Sequence, residues 1–180
     1  MISNKQKKII AISGSTRKTS TNLNLITAIG QLSSGIFEIN LYIGIAELPH
    51  FNPDIDTEPA PSKVSEFRKL LKEADGILIC TPEYAMGVPG TLKNAIDWTV
   101  SSAEFSKKPV ALITASSMGE KAHASLLETL KIIESDITDD TQLLISFAKT
   151  KINADSIITD QDTLIKVTHL IKAFEKLLTK

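Results

Sequence analysis

Short apolar runs alternate along this chain with longer segments whose apolar residues recur every three or four positions. The first run, KKIIAIS, ends at Ser13 and reads as a buried strand. Asn22 to Ser34 then spaces Leu23, Ile26, Ile29 and Leu32 as an amphipathic helix does. Ile36 to Tyr42 alternates in part and predicts a second strand. A helix over Ser62–Ala74 follows, with a serine at its start. Next come a strand over Gly76–Thr81, a helix over Gly90–Ser102, a strand over Pro109–Ser116 and a helix over Glu120–Ser135. A fifth strand over Gln142–Ala148 and a long helix over Asp160–Lys180 close the chain.

Five strands alternating with five helices predict an α/β protein with a parallel sheet covered on both faces. Continuous apolar strands such as GILIC and VALIT fit burial on both sides. The five-strand doubly wound order, 2-1-3-4-5, binds ligands beyond the carboxyl ends of the strands, beside strand one, where the order reverses. The loops after strands one, three and four are therefore where chemistry is expected. The longest irregular piece, Ile43 to Lys63, carries four prolines. A loop of that length is commonly functional or disordered; its tip lies over the site, at a subunit contact, or simply on the surface.

Composition narrows the class. With 180 residues the chain is expected to be one domain, spanning 1–180. A formal net charge of -1 gives no basic excess for nucleic acid and no patch for a membrane. The lone cysteine, Cys80, rules out a disulfide framework within one chain and fits a reducing compartment. The opening MISNKQKKIIAISGS has too short an apolar run for a signal-peptide core, so a cytoplasmic protein is expected. His50, His123 and His169 are scattered, which argues against a metal site. Cys80 reads as an inert small hydrophobe at the end of a buried strand.

The loop after strand one, ISGSTRKTSTN, is rich in groups that bind phosphate. After Gly14 no glycine appears until Gly30, so neither the P-loop nor the dinucleotide fingerprint fits. What remains is a hydroxyl-rich turn running into a helix start, which is an anion site. Ser15, Thr16, Ser20 and Thr21 can donate hydrogen bonds, Arg17 can add a charge-assisted one, and Asn22 can cap the helix. That set suits a terminal phosphate monoester; a capped, solvated loop explains it about equally well. In the second loop, TPEYAMGVPGTLKNAIDW, Pro82 stops the strand and Val88-Pro89-Gly90 makes a further turn before the helix. Its backbone can face a planar heterocycle, with Tyr84 packing at the edge.

GSTRKTSTN together with PEYAMGVPGTLKNAIDW closely resembles the NADPH-dependent FMN reductase family of flavodoxin-like proteins, which includes FMN, quinone, azo-dye and chromate reductases. The resemblance extends to the order of strands and helices over nearly the whole chain. It implies non-covalent FMN, with NADPH or NADH as hydride donor and a ping-pong transfer of electrons to a small acceptor: a quinone, an azo compound or free flavin. It also implies a flavodoxin-like fold and a homodimer or homotetramer. Gly14, Ser15, Thr16, Arg17, Ser20, Thr21 and Asn22 would surround the phosphate. Pro82, Glu83, Tyr84 and Ala85 would lie beside the isoalloxazine, with Ser116, Ser117, Met118 and Gly119 of the third loop. The chain departs from the family at Ala85, where asparagine is common, and at Glu120-Lys121, where paired glycines are usual. No side chain is assigned as general acid, base or nucleophile. A flavodoxin-type electron carrier, or a non-catalytic binding protein with a weakened flavin site, is the alternative.

Overall fold

A computed structural model describes residues 6–180; the opening MISNK, part of the segment read above as lacking a leader, lies outside the described residues. Five parallel strands form one sheet in the order β2-β1-β3-β4-β5. They are β1 (Lys7–Ser13), β2 (Phe37–Tyr42), β3 (Gly76–Thr81), β4 (Val110–Ala115) and β5 (Gln142–Ile145). The helices are α1 (Thr21–Leu32), α2 (Ser62–Glu73), α3 (Gly90–Asp97), α4 (Glu120–Ile132), the single turn α5 (Ala148–Lys151) and α6 (Gln161–Leu177). The expected fold class and strand order are those observed.

Alternation along the strands sorts the core into two layers. Ile9, Ala11, Leu78, Cys80, Ala111 and Ile113 face α1 and α6, whereas Ile10, Ile12, Ile77, Ile79, Val110 and Leu112 face α2, α3 and α4. Every residue of β3 and β4 is buried, as strands covered on both faces require. The register pairs Ser13 with Cys80, Thr81 with Thr114, and Ala115 with Ile145. The strands therefore end together, and their loops emerge along one edge. Among the described residues no helix is long and apolar enough to cross a membrane.

Several element ends, and one cap, differ from those the sequence pattern predicts. Helix α3 stops at Asp97 rather than Ser102; Trp98 is its cap residue, and the Trp98 indole N–H donates to the Pro49 carbonyl at 2.8 Å. Helix α4 ends at Ile132 rather than Ser135, with Glu134 at positive φ. Strand β5 ends at Ile145 rather than Ala148; Phe147 is left-handed and Ala148 opens a helical turn. Ser62 begins α2 without capping it, the cap position belonging to Pro61.

The proline-rich segment after β2 is folded onto α2 and α3. Asn94 accepts from Phe51 N–H at 2.7 Å and donates to the Pro49 carbonyl at 2.9 Å. Phe51 packs edge-on against Trp98, with ring centroids 5.1 Å apart. Asp56 pairs with Arg68 at 2.7 Å and accepts from Ser101 at 2.6 Å. The Ser101 and Arg68 hydrogen bonds hold the Asp56 carboxyl below the usual carboxylate value. The segment is a staple for the sheet's α2/α3 layer, and none of its residues reaches the cleft described next.

Candidate functional site

A cleft of about 400 Å³ opens at the carboxyl edge of the sheet, between the loops after β1, β3, β4 and β5. Its size is that of a small-molecule site, and it lies at the topological switch point between β1 and β3.

The loop after β1 is fixed from below. Gly14 donates to the Cys80 carbonyl at 2.8 Å, and a Cβ there would collide with the Thr81 side chain. Gly14 thus lets β1 and β3 end in close contact; it is buried and does not line the cleft. Ser15, Arg17, Ser20, Thr21 and Asn22 do line it, whereas Thr16 is exposed outside it. The helix cap is Ser20, whose Oγ accepts from Asn22 N–H at 3.2 Å. The capping role expected for Asn22 is therefore taken by Ser20. Asn22 instead donates its Nδ2 to the Ala115 carbonyl at 3.1 Å, tying α1 to the end of β4. Its Oδ1 is buried without a partner. The first turn of α1 has no acidic residue, so the positive end of the helix dipole is uncancelled at the cleft.

The loop after β3 contributes Pro82, Glu83 and Tyr84. Glu83 is a clamp. Its N–H donates to Ser116 Oγ at 3.1 Å, and its carboxylate accepts from Ala122 N–H at 2.8 Å. Helix α4 starts at left-handed Gly119 without a side-chain cap of its own, so Glu83 caps it from another loop. Tyr84 and Gly87 exchange both main-chain hydrogen bonds, at 2.8 and 2.9 Å, across a tight turn with Ala85 and Met86 at φ 47° and 62°. Ala85 is exposed in that turn and does not line the cleft.

From the loop after β4, Ser116 and Ser117 line the cleft, while Met118 and Gly119 do not. At Gly119, with φ 109°, a Cβ would meet Leu144 at 2.8 Å. Glu120 and Lys121, in the first turn of α4, are exposed outside the cleft. Farther along α4, His123 lies between Thr114 Oγ1 at 2.9 Å and Gln142 Oε1 at 3.0 Å. Burial depresses its pKa, the Gln142 hydrogen bond opposing the shift. Burial likewise pushes the Cys80 thiol well up, leaving it inert.

The fourth wall was absent from the sequence reading: Phe147, Ala148, Lys149 and Thr150, after β5. Phe147 N–H donates to the Ser117 carbonyl and Ala148 N–H to the Ser116 carbonyl, both at 3.0 Å. The signal available was positional. The rule that ligands gather beyond the strand ends extends to β5, but the apolar run through Phe147 and Ala148 read as strand.

The geometry defines a class: a doubly wound α/β protein whose carboxyl-edge cleft gathers hydroxyls and Arg17 at a helix start, with an aromatic residue on each of two other walls. Known proteins agree. The sequence pattern of the family described as NADPH-dependent FMN reductase matches residues 7–150. The chain is 30% identical over 175 residues to the quinone reductase of Escherichia coli (strain K12), covering 93% of each chain. It is 33% identical over 174 residues to an NAD(P)H-dependent FMN reductase of Pseudomonas aeruginosa, again covering 93% of each. Among solved structures it resembles the flavoenzyme NAD(P)H:(acceptor) oxidoreductase FerB of Paracoccus denitrificans. That likeness has a TM-score of 0.76 and 26% identity, over 96% of this chain and 97% of the other.

This protein belongs to the NADPH-dependent FMN reductase family. It is accordingly an oxidoreductase of the FMN-dependent kind, fed by NAD(P)H. The residues present fit such a group. The start of α1, the hydroxyls and Arg17 supply hydrogen-bond donors at one end, and Tyr84 and Phe147 supply apolar area.

Proposed function

We propose that this protein reduces small acceptors (a quinone, an azo compound or free flavin) with electrons from NADPH or NADH, by a ping-pong mechanism. The observation that carries the reading is the asymmetry of the cleft at the carboxyl edge. One part gathers the start of α1, whose first turn has no acidic residue, with hydroxyls and Arg17; another presents Pro82, Tyr84 and the loop after β4. FMN, when bound, supplies the two-electron chemistry. The chain supplies position. Ser15, Ser20, Thr21 and Arg17 hold the phosphate, with Lys149 from the opposite wall adding a second cation. Pro82, Glu83, Tyr84, Ser116 and Ser117 border the ring, and the Glu83 clamp keeps the two ring-side loops in register.

Donor and acceptor would use the same cleft in turn. Initial-rate plots at several acceptor concentrations should give parallel lines; converging lines would reject the ping-pong order. Arg17→Ala should raise the dissociation constant for FMN roughly tenfold or more, on the scale of a charge-assisted hydrogen bond. It should leave riboflavin, which has no phosphate, within about twofold. Equal losses for both flavins would remove Arg17 from the phosphate. A cytoplasmic homodimer or homotetramer completes the proposal. Exposed Val100 and Ile132, beside the same shallow apolar depression, support self-association, and light scattering measures it.

A further inference from the structure

Phe147 is held where an aromatic residue is costly. Its φ of 56° and ψ of 36° are left-handed, a conformation that bulky side chains rarely adopt. Of the seven non-glycine residues with positive φ among those described, only Phe147 lines the cleft. The conformation is locked from both sides. Its N–H and that of Ala148 donate to the carbonyls of Ser117 and Ser116. Its own carbonyl accepts from Thr150 N–H at 3.0 Å and Thr150 Oγ1 at 2.9 Å.

The side chain gains little from the fold in return. Phe37, Phe67, Phe105 and Phe174 are core residues and Phe51 packs on Trp98, yet Phe147 is 61% exposed. Beneath it, Ala148 and Ile152 are buried against the α1 layer, so the backbone is anchored while the ring stands free. Backbone strain that the surroundings enforce, at an exposed aromatic residue that lines a binding cleft, points to use of that side chain. Tyr84 lines the same cleft and is 48% exposed.

We propose that Phe147 is an aromatic wall that packs on a planar ring bound in the cleft, and so sets which rings the site accepts. The proposal rests on the flavin reading above. The shared chemistry is a flat aromatic system, and two sources supply one: the isoalloxazine itself, or the planar oxidant that follows it.

The test uses the full chain, freed of bound flavin for titration and reconstituted with FMN for kinetics. Phe147→Gly removes the ring and suits the left-handed backbone; Phe147→Asn tolerates the same backbone with a small polar group. If the ring packs on the flavin, both variants bind FMN and riboflavin roughly three- to tenfold more weakly, by equal factors. If it packs on the oxidant, flavin affinity holds and the KM for the naphthoquinone menadione rises by a similar factor. In either case Tm is unchanged or raised by up to about 4 °C, and Phe147→Tyr restores wild-type binding. Flavin affinities and KM all within twofold of wild type would overturn the proposal. So would weakened binding of FMN alone, or weakened binding accompanied by a lower Tm in both variants. A wild-type chain that binds neither FMN nor riboflavin removes the flavin reading itself, a result distinct from these.

Discussion

Ala85 and Met86 occupy successive left-handed positions in the Tyr84–Gly87 turn. A tight turn with φ above zero at both central residues favours Asn-Gly, and here it carries two side chains that resist that backbone. The asparagine common in the family at position 85 thus has a conformational reason to be there, whatever else it touches. Ala85→Asn should raise stability by about 0.5–1 kcal/mol, and Met86→Gly by a similar amount. Urea denaturation checks both, and a fall in midpoint for either would contradict this account of the turn. Asn22 carries a related lesson. Ser20 and Asn22 are both good caps by type, and the sequence does not choose between them. The choice is made by Ala115, 93 positions away, whose carbonyl takes the Asn22 amide.

At the scale of elements, the strands and most helices were legible because burial on two faces demands continuous apolar runs and burial on one face demands helical spacing. The ends were less so. Val100 and Ser101 continue a helix-compatible pattern after Asp97, yet α3 stops where the long segment claims Trp98. The loops after β1, β3 and β4 announced themselves through hydroxyls, prolines and turn residues. The loop after β5 did not, since Phe147 and Ala148 look like more strand and a backbone angle is invisible in a residue's name. Glu83 was legible as a site residue but not as a helix cap, because its partner Ala122 is remote in sequence and offers only a backbone N–H. Glu83→Ala should cost about 1 kcal/mol, the scale of a lost cap. It should also loosen the ring-side loops and weaken FMN and riboflavin alike, whereas Glu83→Gln keeps an acceptor and loses less. Parallel thermal melts and flavin titrations of the two variants test this, and equal behaviour of Ala and Gln would refute the capping role.

For the molecule as a whole, pH enters through His123. The orientation of Gln142 is fixed by its own donation to Asp139 at 3.1 Å, so its oxygen faces the imidazole. Nε2 then donates to Gln142 and Nδ1 accepts from Thr114, an arrangement that suits the neutral ring. Its folded pKa lies below the unfolded value of about 6.5. As pH falls below that value the unfolded chain takes up a proton that the folded chain resists, and stability is lost. Above it the contribution is fully present. The urea midpoint should therefore drop between about pH 7.5 and pH 5.5, and His123→Gln should flatten part of that drop. An unchanged pH slope in the variant would show that other groups carry it.

The staple around Trp98 has an optical consequence. The chain contains one tryptophan, and it is buried under Phe51 and the proline-rich segment, outside the cleft. Its ultraviolet emission is therefore a single-site record of whether that segment is seated. Light absorbed directly by a flavin in the cleft would report on the binding site instead. Collected side by side during denaturation, the two signals tell whether the scaffold and the binding site come apart together or in turn.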